Sequence, residues 1–258
     1  MAEISKLEQI VASLRGKHGC PWDKKQTSQT LKKYLLEEVY ELIEAIEEEK
    51  TEEVKEELGD VLFILVFLAH IYKEQGCFDL EKVIDLVSEK MIRRHPHVFG
   101  DIRTNDIAEI RARWEEIKDS EKPERNSVLD GISKALPALT LAYKIGEKAA
   151  KVGFDWERLE GVLEKVAEET QEFKRALNTN NIEKIKEELG DILFSWVNVA
   201  RLLKIQPEDA LRQTIKKFKR RFKLMENEFK RQGKSIQNAS LEEMDAFWEQ
   251  IKKQDDIS

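Results

Sequence analysis

The pattern of apolar positions along the chain predicts long amphipathic helices. Between positions 28 and 46, apolar residues recur at intervals of three and four, the spacing of one helical face; they are Leu35, Leu36, Val39, Leu42, Ile43 and Ile46. A charged break, EEEKTEE, separates this segment from an apolar run, Val61 to Ala69. That run is too short to cross a bilayer, so it indicates a helix buried on all sides within a bundle or at a subunit interface.

The same periodicity continues to the end of the chain and predicts an all-α fold. Thr27 or Ser28 is a suitable N-cap for the helix that carries the first stripe, and Gly76 is a suitable stop for the next. Further helices are predicted at about 4–14, 80–94, 107–118, 159–177, 182–204, 208–232 and 240–253, with another after Pro137. Glycine (11) and proline (5) are scarce, which also favours helices over sheets with many turns.

An internal repeat fixes the domain organisation. KEELGDVLF at 55–63 returns as KEELGDILF at 186–194, and the blocks CPWD, KMIRR and WEEIK return in the same order as FDWE, KFKRR and WEQIK. Repetition in one order indicates duplication of a whole domain. We therefore predict two tandem, homologous helical-bundle domains at 1–120 and 131–258, joined by a polar linker at 121–130.

The repeat also duplicates four carboxylates at fixed spacing. Acidic residues three positions apart share one face of a helix, and two such helices packed antiparallel would bring four of them together. Oxygen ligands of this kind suit Mg²⁺, with Mn²⁺ as a possible substitute. The predicted metal ligands are Glu38, Glu41, Glu57 and Asp60 in the first copy and Glu169, Glu172, Glu188 and Asp191 in the second.

Solvated surface charge and a redox metal centre are the alternatives for these acidic residues. The chain holds 51 acidic residues, and most of them are expected on solvated helix faces. Di-iron and di-manganese bundles typically use Glu-x-x-His, and none of the 4 histidines follows a glutamate at that spacing. Glu57 and Asp60 differ from the other acidic residues because they precede the apolar run and so lie at the edge of a buried surface.

Basic and aromatic residues recur beside the carboxylates in both copies. A lysine and an arginine one helical turn apart could hold the oxygens of a polyphosphate, and a tryptophan one turn from a lysine could stack on a nucleobase. Ion pairing and core packing remain the alternatives. The predicted substrate-binding residues are Lys90, Arg94, Trp114 and Lys118, and in the second copy Lys217, Arg221, Trp248 and Lys252.

Composition narrows the function classes. The formal net charge of −7 disfavours a general nucleic-acid binder, although the basic helix KKFKRRFK at 216–223 keeps that alternative open. Neither a P-loop nor a Rossmann glycine motif occurs, so any phosphate must be held by metal and side-chain cations. Two cysteines and no signal-like start favour a protein of the reducing cytoplasm, without a membrane anchor. A non-enzymatic helical scaffold is the other alternative.

Together the segments LRGKHGCPWDKKQT, EELGDVLF and RRHPHVFGD and the duplicated carboxylates resemble the MazG family over nearly the whole chain. The resemblance implies an all-α fold, a tight homodimer, and hydrolysis of ribo- and deoxynucleoside triphosphates, including non-standard ones, to NMP and pyrophosphate. It implies that Glu169, Glu172, Glu188 and Asp191 hold Mg²⁺. It also implies that the second copy's basic residues and tryptophan contact the nucleotide.

The expected reaction is metal-assisted hydrolysis in which a water attacks the α-phosphorus. Glu37 and Glu168, each directly before the first predicted ligand, are candidate catalytic bases, with a glutamate of the ligand set as the alternative. Hydrolysis of inorganic pyrophosphate is a plausible side activity, because the same site would bind it. The sequence leaves open the preferred base and sugar, the number of metal ions per site, the physiological role, and whether both copies are active.

Overall fold

The computed structural model describes residues 2–121 and 127–255, which are helical except for the connecting turns. No strand occurs in this part of the chain, and the prediction of an all-α fold is confirmed. The helices are α1 (Ala2–Arg15), α2 (Pro21–Lys24), α3 (Ser28–Glu47), α4 (Thr51–Glu74), α5 (Leu80–Arg94), α6 (Pro96–Phe99), α7 (Ile107–Ser120), α8 (Ala138–Lys151), α9 (Leu159–Leu177), α10 (Ile182–Leu202), α11 (Pro207–Arg231) and α12 (Leu241–Asp255).

The chain divides into two compact units, unit 1 (Met1–Pro123) and unit 2 (Glu124–Ser258). Residues 122–126, half of the predicted linker at 121–130, lie outside the described residues. Each unit is built around one pair of long helices joined by a short turn, α3–α4 in unit 1 and α9–α10 in unit 2. The repeat seen in the sequence therefore corresponds to a repeated helical hairpin.

The two hairpins begin and turn through local chemistry that their sequences encode. Thr27 caps α3: its hydroxyl accepts from the Thr30 amide at 3.2 Å, while its own amide donates to Thr30 Oγ1 at 2.8 Å. Asn181 caps α10 by accepting from the amides of the second and third residues beyond it. Glu49 and Asn180 hold equivalent places in the two turns, with φ of 56° and 53°. Each hairpin thus turns on one residue in the left-handed region.

Among the residues that the structure describes, three clusters of buried apolar side chains stabilise the units. In unit 1, Val11 of α1 and Leu31 of α3 pack against the buried side of α4, around Phe67. In unit 2, Val162 and Val166 of α9 pack against α10, while a separate cluster joins α11 to α12. Because α4 and α10 are the helices that carry the EELGD blocks, their packing fixes the register of the acidic residues.

One face of the α4 helix is left uncovered. Leu62 and Leu65 are 42% and 47% exposed, although the neighbouring Val66 and Phe67 are buried. The expectation that the apolar run is buried on all sides within a bundle is therefore wrong for the described chain, and burial at a subunit interface stays a prediction. None of the described helices is both long enough and apolar enough to span a membrane.

Candidate active site

The hairpin of unit 1 brings three of its four predicted metal ligands together. Glu38 and Glu41 lie one turn apart on α3, and Glu57 faces them from α4; one carboxylate oxygen of each lies within 4.8 Å of the other two. Glu41 and Glu57 are at similar distances from the turn, so the antiparallel packing sets them at one level. This cluster, Glu38, Glu41 and Glu57, is called triad 1.

Unit 2 repeats the arrangement with Glu169, Glu172 and Glu188, called triad 2, whose oxygens meet the same 4.8 Å limit. The side chains here are deeper: Glu169 and Glu188 are buried, whereas Glu41 of triad 1 is exposed. Lys165, one turn before Glu169, places its Nζ 2.7 Å from the Glu169 carboxylate. The ammonium of Lys165 is therefore in direct contact with triad 2.

Crowding and burial shift the proton equilibria of these carboxylates. The pKa of Glu38 is raised, first by burial and then by the neighbouring charges of Asp60, Glu41 and Glu57. The pKa of Glu57 is raised by burial and then by Glu41 and Asp60. In triad 2, burial and the Glu172 charge raise the pKa of Glu188. Each cluster therefore holds negative charge that favours a cation.

The fourth predicted ligand of each unit lies at the border of its triad. Asp60 and Asp191 are exposed and are not among the mutually close carboxylates. The Asp60 charge nevertheless acts on Glu38, and the Asp191 charge acts on Glu188. Asp60 sits at the level of Glu38, one turn further along α4, and its side chain is one methylene shorter than that of Glu. Asp60 therefore lies near triad 1 but is not one of its mutually close carboxylates.

The donor set of each triad fits a hard divalent cation. Every donor is a carboxylate oxygen, and no nitrogen or sulfur ligand accompanies them among the described residues. Burial and then the neighbouring carboxylates raise the pKa values of Glu38, Glu57 and Glu188. Such oxygen-only sets suit Mg²⁺ or Mn²⁺, since Zn²⁺ and Cu²⁺ sites in proteins typically include His or Cys. The residues present can therefore hold the predicted ion.

The two candidate bases lie beside the triads on the same helices. Glu37 is exposed, with Lys33 Nζ 3.5 Å from its carboxylate, and Glu168 is exposed, with Lys165 Nζ at 3.1 Å. Both carboxylates therefore sit at the open side of their hairpin, where water has access. Neither joins the mutually close groups of its unit.

The predicted substrate-binding residues of unit 1 lie on α5 and α7. The guanidinium of Arg94 lies 5.1 Å from the centroid of the Trp114 ring, and the ammonium of Lys118 lies 4.7 Å from the same centroid. Lys90 is half-buried one turn before Arg94. Arg94, Trp114 and Lys118 therefore form one cluster, called the cation–indole cluster of unit 1.

The corresponding residues of unit 2 have different surroundings. Trp248 of α12 packs against Phe218 of α11, with 5.0 Å between ring centroids, and borders the apolar cluster of that helix pair. Lys252 donates to Glu249 at 2.7 Å. Lys217 is exposed and Arg221 is half-buried on α11. In unit 2 the indole is thus part of an aromatic contact.

Two residues near these clusters were missed by sequence reasoning. Lys165 could have been found, because its position four residues before Glu169 on a helix brings their side chains into contact. Glu121 could not, because its partners, Arg93 and Arg94, lie 28 and 27 residues earlier in the chain. Only the packing of α7 on α5 brings this carboxylate to the arginines.

The carboxylate triads fall within segments that a known family model matches. The model describes the MazG nucleotide pyrophosphohydrolase domain, and it matches residues 26–99 and again residues 157–225. These two segments contain triad 1 and triad 2, as well as both lysine–arginine pairs. The tryptophans at 114 and 248 lie beyond them.

Two relatives are similar over nearly the full chain. A Thermotoga maritima protein named nucleoside triphosphate pyrophosphohydrolase/pyrophosphatase MazG is 46% identical over 254 residues, covering 98% of this chain and 97% of its own. An Escherichia coli K12 protein named nucleoside triphosphate pyrophosphohydrolase is 42% identical over 260 residues, covering 99% of each. A solved structure of a mazG-related protein from Thermotoga maritima matches 45% of this chain at 31% identity, with a TM-score of 0.39.

Proposed function

Because the chain belongs to the MazG nucleotide pyrophosphohydrolase family and is a hydrolase of nucleoside triphosphates, we propose that its reaction is Mg²⁺-dependent and releases NMP and pyrophosphate. The observation that carries the proposal is the convergence of three carboxylates in each hairpin. Its substrates are ribo- and deoxynucleoside triphosphates, including non-standard ones, in a role of nucleotide-pool control. Inorganic pyrophosphate is a second substrate, an activity also suggested by the Thermotoga relative's name.

The proposed ion is held by the triads together with the aspartate at the border of each. When bound, Mg²⁺ supplies the positive charge that neutralises phosphate oxygens and lowers the pKa of water. The ligands are Glu38, Glu41, Glu57 and Asp60 in unit 1 and Glu169, Glu172, Glu188 and Asp191 in unit 2. The burial of Glu169 and Glu188 supports this assignment, since buried like charges persist where a cation compensates them.

The side chains of unit 2 divide the remaining tasks. Lys217 and Arg221 bind phosphate oxygens, Trp248 stacks against the base, and Lys252 neutralises further charge. Attack of water on the α-phosphorus breaks the bond between that phosphorus and the bridging oxygen, and pyrophosphate leaves. Glu168 receives the proton of the attacking water, a role supported by its exposed place beside Glu169. In unit 1 the same roles fall to Lys90, Arg94, Trp114, Lys118 and Glu37.

Product analysis in ¹⁸O-labelled water tests the reaction. The full chain is incubated with a panel of nucleoside triphosphates and Mg²⁺, and the products are separated and weighed by mass spectrometry. We expect NMP that carries the label and pyrophosphate that does not, because water attacks the α-phosphorus. NDP and phosphate as products, or label in the pyrophosphate, would contradict the proposal.

Paired variants connect the activity to the triads. Glu41→Gln disables triad 1 and Glu172→Gln disables triad 2 while keeping side-chain size, and the double variant should lose activity by at least about a thousandfold. Glu183→Gln is the matched control, since Glu183 is an exposed residue of α10 whose carboxylate pairs with Lys186. It should behave as the parent. Parent-like turnover in the double variant would exclude the triads as the site.

Homodimerisation in the cytoplasm completes the proposal. The same three positions of the repeated helix are exposed apolar residues in both units: Leu58, Leu62 and Leu65 on α4 and Leu189, Leu193 and Trp196 on α10. A stripe of this kind suits burial against a second copy. Both cysteines are free thiols, as in a reducing compartment. Light scattering should give a dimer that Leu62→Glu with Leu193→Glu dissociates, and a monomeric parent would exclude it.

A further inference from the structure

A carboxylate from the end of α7 occupies the arginines of unit 1. Glu121 Oε2 accepts from Arg94 Nη2 at 2.5 Å and from Arg94 Nε at 3.2 Å. Its other oxygen accepts from Arg93 Nη2 at 2.6 Å and Arg93 Nε at 2.8 Å. The side chains of Arg94 and Glu121 are only 12% and 15% exposed, whereas that of Arg93 is 54% exposed.

These contacts satisfy the same donors that a phosphate would use. A guanidinium binds carboxylate and phosphate oxygens through the same kind of N–H fork, so a phosphate competes with Glu121 for the Nε–Nη2 edge of Arg94 and for its positive charge. Arg94 and Arg93 lower the pKa of Glu121 from its ordinary value to about 2, so this carboxylate stays ionised from neutral pH well into the acid range. Glu121 is therefore a permanent internal anion for Arg94.

The rest of the cation–indole cluster is engaged by the same arrangement. Arg94, fixed by Glu121, lies over the Trp114 ring, and Lys118 lies over the ring as well. A base that stacks on a ring face covered by Arg94 or Lys118 would have to displace that cation. Because it holds Arg94, the Glu121 carboxylate affects both the predicted phosphate contact and the predicted base contact.

The corresponding indole of unit 2, that of Trp248, has a different neighbour. Trp248 packs on Phe218, and the corresponding position of KMIRR in unit 1 is Met91. Unit 1 therefore lacks the aromatic partner at this place and has a guanidinium over its indole instead. Counted from the tryptophan, Asp255 matches Glu121, and its side chain lies outside the described ones.

We propose that Glu121 is an autoinhibitory residue of unit 1, and that nucleotide binds there only when Arg94 exchanges the Glu121 carboxylate for phosphate. The proposal rests on the proposed function, which assigns Arg94 and Trp114 to nucleotide binding. It predicts that unit 1 binds nucleotide more weakly than it would without the Glu121 carboxylate. Removing the charge at position 121 should strengthen binding.

The test measures binding at unit 1 of the full chain. Unit 2 is disabled by Glu172→Gln with Arg221→Gln, and α,β-methylene-ATP with Mg²⁺ is titrated by calorimetry and by Trp fluorescence. In this background, Glu121→Gln should tighten binding by about two- to fivefold, the range for loss of one competing ion pair. Glu116→Gln is the matched control: it removes an equal charge from an exposed site on α7 and should leave binding unchanged.

The outcomes separate autoinhibition from a structural role. A structural Glu121 predicts weaker binding and a lower melting temperature in Glu121→Gln, and that result, or unchanged affinity, overturns the proposal. If Glu121→Gln does not fold, Glu121→Asp serves instead, because its shorter carboxylate should release Arg94 in part and still tighten binding. Failure of the proposed function would be detected separately, in the product analysis, if the parent protein formed neither NMP nor pyrophosphate.

Discussion

The two triads differ at the residue that precedes them by one helical turn. Lys165 in unit 2 stands where unit 1 has Tyr34, each four residues before the first glutamate of its triad. The Lys165 ammonium lies 2.7 Å from the Glu169 carboxylate, whereas Tyr34 packs edge-on against Trp22. An ammonium at this place neutralises part of triad 2, so it should compete with a metal ion for Glu169.

Exchange of these two residues should exchange the metal affinities of the triads. Lys165→Tyr removes the competing cation, so Mn²⁺ should bind unit 2 about threefold more tightly, and Tyr34→Lys should weaken unit 1 by a similar factor. Titration without nucleotide, followed by electron paramagnetic resonance, measures both. The control is Lys186→Tyr, which removes an exposed lysine of α10 paired with Glu183. Unchanged or weaker Mn²⁺ binding in Lys165→Tyr would contradict the competition.

The raised pKa values of Glu38, Glu57 and Glu188 predict that metal binding at the triads depends on pH. In a metal-free triad, folding holds a proton that the unfolded chain releases, so this contribution to stability is full below about pH 4.5 and falls as pH rises through the folded pKa. Mg²⁺ needs the ionised form. The Mg²⁺-induced rise in melting temperature should therefore grow from pH 5 to 7. Glu38→Gln with Glu188→Gln, which removes one ligand from each triad, should abolish the rise at every pH. A rise independent of pH in the parent would contradict this.

At the scale of the helices, the hairpins were predictable in outline. Helical spacing and the EELGD repeat predicted that Glu38 and Glu41 would face Glu57, and the structure brings the three together. The sequence could not show that Asp60 stays at the border, because that depends on the relative level of two packed helices. Nor could the sequence show that one face of α4 is uncovered, since periodicity identifies an apolar face but does not indicate which element packs against it.

In each unit, a buried guanidinium connects the hairpin to the turn that precedes it. The arginine comes from a different helix in the two units. In unit 1, Arg15 of α1 donates to the carbonyls of Asp23 and Gln26 and pairs with Glu74 of α4. In unit 2, Arg201 of α10 pairs with Asp155, and unit 1 has His70 at the corresponding position. The repeated CPWD and FDWE blocks marked these turns, but the helix that supplies the arginine was not predictable from them.

Removal of the Asp155 carboxylate should destabilise unit 2. Asp155→Ala leaves Arg201, whose side chain is 8% exposed, without its carboxylate partner. We expect a loss of about 3 kcal/mol in the free energy of unfolding, the low end for breaking a buried ion pair, because Asp155 itself is 27% exposed. Urea unfolding followed by Trp fluorescence measures it, since Trp156 is the next residue.

Two control variants make this measurement specific. Asp155→Asn keeps one acceptor oxygen and should lose less than Asp155→Ala. Glu157→Ala removes an exposed carboxylate on the other side of Trp156 and should change stability by no more than about 0.5 kcal/mol. Equal losses in Asp155→Ala and Glu157→Ala would show that the ion pair does not hold the turn.

For the whole molecule, duplication was the most secure inference from sequence, since blocks repeated in one order need a common fold. The family model matches both copies, and the two units each contain one carboxylate triad. What duplication did not reveal is the divergence around the triads. Lys165 of unit 2 has the uncharged Tyr34 as its counterpart, and Glu121 of unit 1 pairs with Arg94, so each places a protein charge where metal or phosphate is expected.

The presence of one carboxylate triad within each unit predicts that the two units bind metal separately. Each triad is built within one unit, so Glu41→Gln should remove the Mn²⁺ bound by unit 1 and leave that of unit 2, and Glu172→Gln should do the reverse. Each variant should then bind half as much Mn²⁺ at saturation as the parent, whatever the number of ions per triad, provided that both triads bind equally many. The double variant should bind none tightly, and Glu183→Gln should match the parent. Complete loss in either single variant would mean that the triads depend on each other, and the assignment of one site to each unit would fail.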